Sequence, residues 1–259
     1  MSDHFNIIIL GAGPGGYVAA LKAAQLGAKV AIVEKSNLGG ACLNHGCIPS
    51  KTLLASSELL HQIRRATTLG IEVGGEVKFD WTKIQNRKDK ALQGLRAGIQ
   101  TLFTAHRVTV LHGRATLNGL GKVVVHCSDQ IVKITADKII LAVGSVPTRI
   151  PDWPTNLEFV CTSDEALHWK ALPKKLLIVG GGVIGCEFAC MMQPFGVEVT
   201  IVEMLPSLLP NMDAQIAAAL EKIFARRGIK CFTGTKIEKL TKTESGIKAT
   251  LNNGRTIEA

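Results

Sequence analysis

The stretch IIILGAGPGGYVAALKAAQLGAKVAIVE, residues 7–34, decides the fold of this 259-residue chain. It contains an apolar run, a Gly-x-Gly-x-x-Gly turn, a helical stretch, a second apolar run and a closing glutamate. The first glycine allows a tight strand-to-helix turn, the second lets the backbone approach a pyrophosphate, and the third lets helix and strand pack closely. The stretch therefore predicts a β-turn-α-β unit that binds a dinucleotide at the N-terminus of its helix.

A second copy of this pattern, LLIVGGGVIGCEFACMMQPFGVEVTIVE, occupies residues 176–203 and aligns with the first without a gap. The motif glycines are Gly11, Gly13 and Gly16 in the first copy and Gly180, Gly182 and Gly185 in the second. Glu34 and Glu203 close the two units, where a carboxylate can accept hydrogen bonds from ribose hydroxyls. Two such units predict two bound dinucleotides. Glu203 would repel the 2′-phosphate of NADP, so the second site is predicted to take NAD.

A cysteine pair follows the first unit in GGACLNHGCIPSK, residues 39–51. Pro49 predicts a helix that opens near Cys47. The helix N-terminus and Lys51, one turn further on, both favour thiolate over thiol. Cys42 is expected to precede the helix in a turn, where it can meet a substrate, and two unequal thiols suit disulfide exchange. The alternatives are two buried cysteines without mutual contact, or a metal site, which the absence of a second Cys or His pair disfavours.

Composition and charge argue against several other classes of protein. The net charge is +9, but no stripe of basic residues interleaved with aromatics predicts nucleic-acid binding. Residues 87–90 are basic and lie in a predicted amphipathic helix over residues 80–107, where they are expected to form a solvated face or to dock an acidic partner protein. Seven cysteines without framework spacing argue against a secreted, disulfide-stapled domain. The first apolar run is too short to span a membrane, and a cytoplasmic location is expected.

The rest of the chain predicts a mixture of strands and turns. Short β-prone runs cover residues 108–111, 122–126, 131–135 and 138–143. Prolines at 147, 151 and 154 mark an expected domain boundary. A hairpin with its turn at residues 252–254 is expected at the C-terminal end. Because no further parallel strands follow the second β-turn-α-β unit, the chain is expected to be part of a longer protein.

From about residue 5 onward the chain resembles the flavoprotein disulfide oxidoreductases. Residues 42–51 are similar to the redox-active segment of those members that oxidise dihydrolipoamide. The resemblance implies an α/β fold with two Rossmann-like domains, both incomplete at the C-terminal side. Residues 1–148 would bind FAD and residues 149–259 would bind NAD. A C-terminal FAD segment, a dimerisation domain and a His–Glu acid–base pair would lie beyond residue 259.

The resemblance also carries roles onto residues of this chain. The ADP half of FAD would be bound by Gly11, Gly13, Gly16 and Glu34. The pyrophosphate and ribityl chain would be lined by Gly39, Gly40, Ala41 and Cys42. Further backbone contacts to FAD would come from Gly113, Gly144 and Ser145. NAD would be bound by Gly180, Gly182, Gly185 and Glu203, with Ile237 against its adenine. Lys51 would lie beside the flavin, and Glu187 would pair with it near the nicotinamide.

The implied reaction is oxidation of protein-bound dihydrolipoamide with reduction of NAD. Cys42 would exchange with the substrate, and Cys47 would lie on the flavin side. The implied partners are a lipoyl-bearing subunit of a 2-oxo acid dehydrogenase complex and a second copy of the full-length chain. The 259-residue chain alone is expected to show little turnover. The alternatives are a related flavin disulfide reductase with another substrate, a dinucleotide-binding protein without disulfide chemistry, and a scaffold subunit.

Two further expectations concern the second unit. Pro194 is expected to kink the helix of that unit. Cys186 and Cys190, four residues apart on that helix, are expected to be small buried side chains. The other three cysteines, Cys127, Cys161 and Cys231, are expected to be inert.

Overall fold

The first glycine-rich stretch folds as β1 (Asp3–Leu10), α1 (Pro14–Gln25) and β2 (Val30–Glu34) in the computed structural model of the chain. The structure describes residues 3–148, 150, 153 and 159–259. Strands β1 and β2 pair in parallel from Ile7 and Val30 onward. Pro14 opens α1, where its missing N–H costs no helical hydrogen bond. The predicted β-turn-α-β unit is confirmed.

Four more strands complete a six-stranded sheet: β3 (Thr109–His112), β4 (Arg114–Leu117), β5 (Lys122–His126) and β6 (Ile131–Leu141). The order is β3-β2-β1-β6-β5-β4. The first four strands in this order are parallel, β5 pairs antiparallel with β6, and β4 pairs antiparallel with β5. The sequence predicted two separate strands where β6 is continuous, and β4 was not predicted. The continuity of β6 follows from its pairing on both sides, with β1 and with β5.

Three helices lie between β2 and β3: α2 (Gly40–His45), α3 (Cys47–Arg65) and α4 (Trp81–Ala105), with a 3-10 turn at Ala66–Leu69. The predicted solvated face on α4 is wrong at Lys88, which is fully buried. Lys88 lies on the same helical stripe as the buried Leu92 and Ile99, four and eleven residues further on. Its ammonium lies 3.1 Å from a carboxylate oxygen of Asp89.

The second glycine-rich stretch forms β7 (Lys175–Val179), α6 (Val183–Met192) and β8 (Glu198–Val202), preceded by α5 (Ser163–Ala166) and followed by α7 (Ala214–Arg226) and β9 (Lys230–Phe232). These three strands form a parallel sheet in the order β7-β8-β9. The kink predicted at Pro194 is absent. The helix ends at Met192, and Pro194 lies in a separate 3-10 turn that Gly196 closes with a φ of 89°.

The last three strands, β10 (Ile237–Lys242), β11 (Ile247–Leu251) and β12 (Thr256–Glu258), form an antiparallel sheet. The predicted C-terminal hairpin is confirmed, with Gly254 at φ 78° in its turn. Among the described residues, no helix is both long and apolar enough to cross a membrane. The described part of the chain also holds no cluster of three or more His, Cys, Asp or Glu side chains that could bind a metal.

The chain divides into two compact units, residues 1–49 with 88–146 and residues 50–87 with 147–259. The first contains the six-stranded sheet, and the second contains the two three-stranded sheets. Residue 149 and the prolines at 151 and 154, where the sequence predicted the domain boundary, lie outside the described residues. The boundary between residues 148 and 149 therefore stays a prediction.

Candidate dinucleotide and redox site

The first glycine loop connects β1 to α1 and requires glycine at two points. Gly11 has a φ of 101°, a backbone conformation that side chains disfavour. A Cβ on Gly16 would overlap the carbonyl oxygen of Gly11, so only glycine allows this close approach of helix and loop. Gly13 is the N-cap of α1 and contributes no capping side chain. The backbone at this helix N-terminus can therefore approach a phosphate.

The cysteine segment is attached directly to this loop. The N–H of Gly39 donates to the carbonyl of Ala12 at 2.8 Å. Gly40 has a φ of 60°, and a Cβ there would overlap the Cα of Gly13. Two glycine backbones therefore meet where the first glycine loop and the cysteine segment touch. This contact places the beginning of α2 against the predicted dinucleotide loop.

The two cysteines occupy different positions in this segment. Cys42 lies within α2 and is half-buried, so the prediction that it sits in a turn is wrong. The turn prediction failed because Gly39, in the left-handed conformation, starts a short helix rather than an extended loop. Cys47 is the first residue of α3 and is exposed. Pro49 is the third residue of that helix, as the prediction of a helix opening near Cys47 required.

The second glycine loop repeats the first geometry in the other unit. Gly180 has a φ of 106°, and a Cβ on Gly185 would overlap the carbonyl oxygen of Gly180. Gly182 is the N-cap of α6 and is exposed, and a Cβ added there would meet no atom within 4 Å. The loop therefore leaves open space beside a helix N-terminus, as a pyrophosphate requires.

Two buried carboxylates hold the glycine loops in the same way. Glu34 accepts hydrogen bonds from the N–H of Ala12, inside the first loop, and of Ser36, both at 2.8 Å. Glu203 accepts them from the N–H of Gly181 at 2.6 Å and of Leu205 at 2.7 Å. We call each arrangement a carboxylate bridge: the acid joins the glycine loop to the residue two positions beyond itself. The sequence predicted ribose binding for these acids but not this loop-holding contact.

Replacement of Glu203 by glutamine is expected to lower the free energy of unfolding by about 1–3 kcal/mol, because the amide can accept only one of the two backbone N–H groups and turns its NH2 toward the other. Urea unfolding of the chain measures the loss. Glu198→Gln is the matched control, since Glu198 pairs with Lys230 at an exposed edge, where solvent screens the ion pair and the expected loss is small. Equal losses in both variants would contradict the carboxylate bridge.

Lys51 and Glu187 form an ion pair in the second unit. The Lys51 Nζ lies 2.7 Å from Oε1 of Glu187, on α3 and α6 respectively. The Lys51 side chain is 60% exposed and the Glu187 side chain is 28% exposed. An ion pair this exposed adds little to the stability of the fold. The pair orients a cation and a carboxylate near the glycine loop that precedes α6.

The remaining predicted site residues vary in accessibility. Gly113 cannot carry a Cβ, because the carbonyl oxygen of His126 would lie 2.5 Å away. Gly144 has a φ of 70°, and it is exposed together with Ser145 and Ala41. Ile237 is only 5% exposed and packs in a cluster with Val202 and Leu251. The adenine contact predicted for Ile237 would involve only that exposed part.

The other cysteines differ from the pair at 42 and 47. Burial raises the pKa of Cys186 to about 12 and that of Cys231 to about 11. Burial also raises the pKa of Cys190 and of Cys161, although the side chain of Cys161 reaches the surface. Cys186 also donates to the carbonyl of Gly181 at 3.4 Å. These thiols resist deprotonation, as the inertness expected for Cys161 and Cys231 requires.

The burial of Cys186 predicts a loss of stability in alkali. The unfolded thiol titrates near its ordinary pKa of 9, whereas the folded thiol keeps its proton to about pH 12. Between these values the folded chain binds more protons, so the free energy of unfolding falls as pH rises, by up to about 1.4 kcal/mol per pH unit. Urea unfolding from pH 8.5 to 11 in a non-thiol reductant should show a shallower decline for Cys186→Ala. Parallel declines in the two proteins would contradict the assignment.

The sequence predicted no role for Asn44 or Arg96, although Asn44 lies within the cysteine segment at residues 39–51. Asn44 is 3% exposed, and its amide makes hydrogen bonds on both sides. The available signal was an asparagine inside a short helix. Asparagine is unfavourable at such a position unless its side chain makes hydrogen bonds. Arg96 gave no signal, because it is one of several cations on α4.

Comparison with known proteins identifies the chain's relatives. The sequence profile described as pyridine nucleotide-disulphide oxidoreductase matches residues 5–259. The chain belongs to this family. The two glycine loops and the cysteine segment thus lie in a chain that matches the oxidoreductase profile along nearly its whole length.

Curated members of the family include similar proteins of known name. Dihydrolipoyl dehydrogenase of Acholeplasma laidlawii is 44% identical over 93% of this chain and 71% of that protein. The enzyme of the same name from Zymomonas mobilis is 42% identical over 96% of this chain and 53% of that protein. The chain therefore spans 71% of the length of the first of these relatives and 53% of the second.

Two solved structures share the fold of this chain. LpdA from Mycobacterium tuberculosis superposes with a TM-score of 0.89 at 32% identity, over 99% of this chain and 56% of its own. RclA from Escherichia coli, an HOCl-induced flavoprotein disulfide reductase studied as a Cu(II) complex, superposes with a TM-score of 0.86 at 28% identity, over 100% of this chain and 55% of its own. The α/β fold predicted from the two glycine-rich stretches is confirmed.

Proposed function

We propose that the chain carries the FAD-binding, NAD-binding and redox-disulfide parts of a dihydrolipoyl dehydrogenase. The net reaction is dihydrolipoamide + NAD⁺ → lipoamide + NADH + H⁺. The observation that carries the proposal is the contact between the cysteine segment and the first glycine loop, where Gly39 bonds Ala12 and Gly40 meets Gly13. A thiol pair attached to a phosphate loop suits electron transfer between a thiol substrate and a dinucleotide.

The residues of the first unit fit FAD. The loop at Gly11, Gly13 and Gly16 leaves a helix N-terminus without a capping side chain, and the backbone at Gly40 closes one side of it. Glu34 keeps further lone pairs for ribose hydroxyls after accepting from Ala12 and Ser36. When bound, FAD supplies the two-electron carrier that a thiol and a nicotinamide need between them.

The cysteines carry the exchange with the substrate. A substrate thiolate attacks Sγ of Cys42 in the Cys42–Cys47 disulfide, a bond forms between the substrate and Cys42, and Cys47 leaves as a thiolate. The second substrate thiolate then attacks the first substrate sulfur, which closes the lipoamide disulfide and releases Cys42. The substrate loses two electrons and its two thiol protons, and the protein disulfide gains two electrons. The position of Cys47 at the first turn of α3 favours its thiolate.

Lys51 and Glu187 provide a charged pair for the second half-reaction, the reduction of NAD. Both groups remain partly exposed, so each can contact a bound molecule while the 2.7 Å ion pair fixes their orientation. Glu203 supports NAD rather than NADP in the second loop, because a buried carboxylate bonded to the loop would repel a 2′-phosphate. In this proposal Gly180, Gly182 and Gly185 hold the pyrophosphate of NAD.

The same reading assigns partners to the full-length protein. A lipoyl-bearing subunit of a 2-oxo acid dehydrogenase complex delivers the substrate, the enzyme is a homodimer, and it acts in the cytoplasm. The names of the two curated relatives described above support this substrate over the alternative of a related disulfide reductase with another substrate. No feature of the described residues favours that alternative.

Reductive titration of the FAD-reconstituted chain tests the proposal. With a redox disulfide, the chain takes up four electrons per flavin from dithionite under anaerobic conditions, whereas a flavoprotein without disulfide chemistry takes up two. Reoxidation by NAD but not by NADP is expected to follow. Uptake of only two electrons by the wild-type chain, or failure to retain any FAD at saturating concentration, would overturn it. Parallel assays of the full-length protein with dihydrolipoamide and with glutathione decide the substrate.

A further inference from the structure

The helix that carries Cys42 is too short to be stable alone. Helix α2 has six residues, and its N-cap, Gly39, offers no side chain to the first N–H groups. Isolated helices of this length are unstable in water, because nucleation is costly and few hydrogen bonds follow it. The position of Cys42 therefore depends on contacts that α2 makes with the rest of its unit.

Asn44 supplies one set of these contacts. Its Nδ2 donates to the carbonyl of Gly40 at 2.9 Å and to that of Leu38 at 3.0 Å, with a longer contact of 3.5 Å to the carbonyl of Asn37. The side chain thus ties the second half of α2 to its own first residue and to the loop before it. Because Asn44 is 3% exposed, water cannot replace these bonds.

Arg96 fixes the other end of the same amide. Its Nε donates to Oδ1 of Asn44 at 2.7 Å, which determines which way the amide faces. Arg96 extends from α4, a helix of 25 residues that is held in the core by Leu92 and Ile99. Leu43, next to Cys42, packs in the same cluster. The long helix therefore holds the short one through one apolar and one polar contact.

We propose that Asn44 and Arg96 act as positioning residues for the Cys42–Cys47 disulfide. We call this pair the amide clamp; its role rests on the redox function proposed above. The clamp holds α2 in the orientation that brings Cys42 to Cys47, which raises the effective concentration of one thiol at the other. Loss of the clamp lets α2 move, so the disulfide forms less readily and is reduced more easily.

The test is the thiol–disulfide equilibrium of the 259-residue chain in buffers of reduced and oxidised dithiothreitol, which requires no bound cofactor. Alkylation and mass spectrometry report the fraction of Cys42 and Cys47 in the disulfide. Arg96→Met is expected to lower the equilibrium constant for disulfide formation about tenfold, the scale of one buried acceptor left unsatisfied. For a two-electron couple this equals a rise in reduction potential of about 30 mV.

Two further variants separate positioning from charge and from general stability. Arg96→Lys keeps a donor for the Asn44 oxygen and is expected to recover most of the wild-type equilibrium constant. Lys90→Met removes one exposed charge from the same helix and is expected to change the constant less than about twofold. Thermal unfolding of each variant confirms that the chain remains folded.

Three results would overturn the clamp. One is an Arg96→Met chain with the wild-type equilibrium constant, which leaves the proposed function intact. Another is an equal shift in Lys90→Met, which would assign the effect to charge alone. The third is a wild-type chain that forms no Cys42–Cys47 disulfide in any of these buffers, which would overturn the clamp and the proposed function together.

Discussion

Replacing Cys47 with serine is expected to remove all reducible disulfide from the chain. In the oxidised wild-type protein, dihydrolipoamide should expose two new alkylatable thiols, one at Cys42 and one at Cys47. The Cys47→Ser chain should expose none, because the sulfur that leaves Cys42 during exchange is gone. Alkylation before and after reduction, read by mass spectrometry, gives the count for each cysteine.

Cys127→Ser is the matched control for this experiment. Cys127 is half-buried and directly follows β5, which is three strands away from β2, the strand that precedes the cysteine segment. It has no proposed role. Its variant should still expose two thiols with dihydrolipoamide. If the Cys47→Ser chain also exposes two, the exchange does not run through the pair, and the roles assigned to both cysteines are wrong.

Gly16→Ala is expected to lower the free energy of unfolding by about 1–3 kcal/mol, since its Cβ would overlap a backbone carbonyl that cannot move aside. To relieve this overlap, α1 must move away from the glycine loop. This displacement is expected to weaken FAD binding about 10–100-fold, or roughly 1.4–2.8 kcal/mol. Urea unfolding measures the first effect, and fluorescence titration of the chain with FAD measures the second.

Gly15→Ala, one residue earlier on α1, is the control for stability. A Cβ at Gly15 would lie 3.9 Å from the Cβ of Ala142, an ordinary contact. Alanine is the better helix former, so this variant is expected to be about 0.5–1 kcal/mol more stable than the wild type. Should both variants lose stability equally, the loss would not be specific to the contact between Gly16 and the Gly11 carbonyl, and the close-packing argument would fail.

The parts of the fold that sequence reasoning predicted depend on local rules. Glycines at fixed spacing, apolar runs and a closing acid predicted both β-turn-α-β units, because each requirement is met by neighbouring residues. The C-terminal hairpin followed from Asn252-Asn253-Gly254 for the same reason. The glycine loops, the two acids and the cysteine segment of the candidate site were found in this way.

The parts that it missed depend on contacts between distant residues. Lys88 was assigned to a solvated face because charge is normally exposed, yet the helical stripe that buries Leu92 includes it. Cys42 was assigned to a turn, because the sequence around it does not show that Arg96 anchors α2 from α4 through Asn44. The carboxylate bridges were missed because the N–H of Ala12 can donate to Glu34 only when β1 and β2 are paired, which the local sequence does not show.

The position of β6 has a consequence for how the protein is made. β1 pairs with β2 on one side and with β6 on the other, from Asp3 opposite Ile134 to Leu10 opposite Leu141. About 100 residues separate β2 from β6, which a ribosome needs roughly 5–20 s to add. During that interval the nascent chain presents an apolar strand edge with no partner. We expect chaperone dependence during synthesis to end once residues 131–141 have emerged.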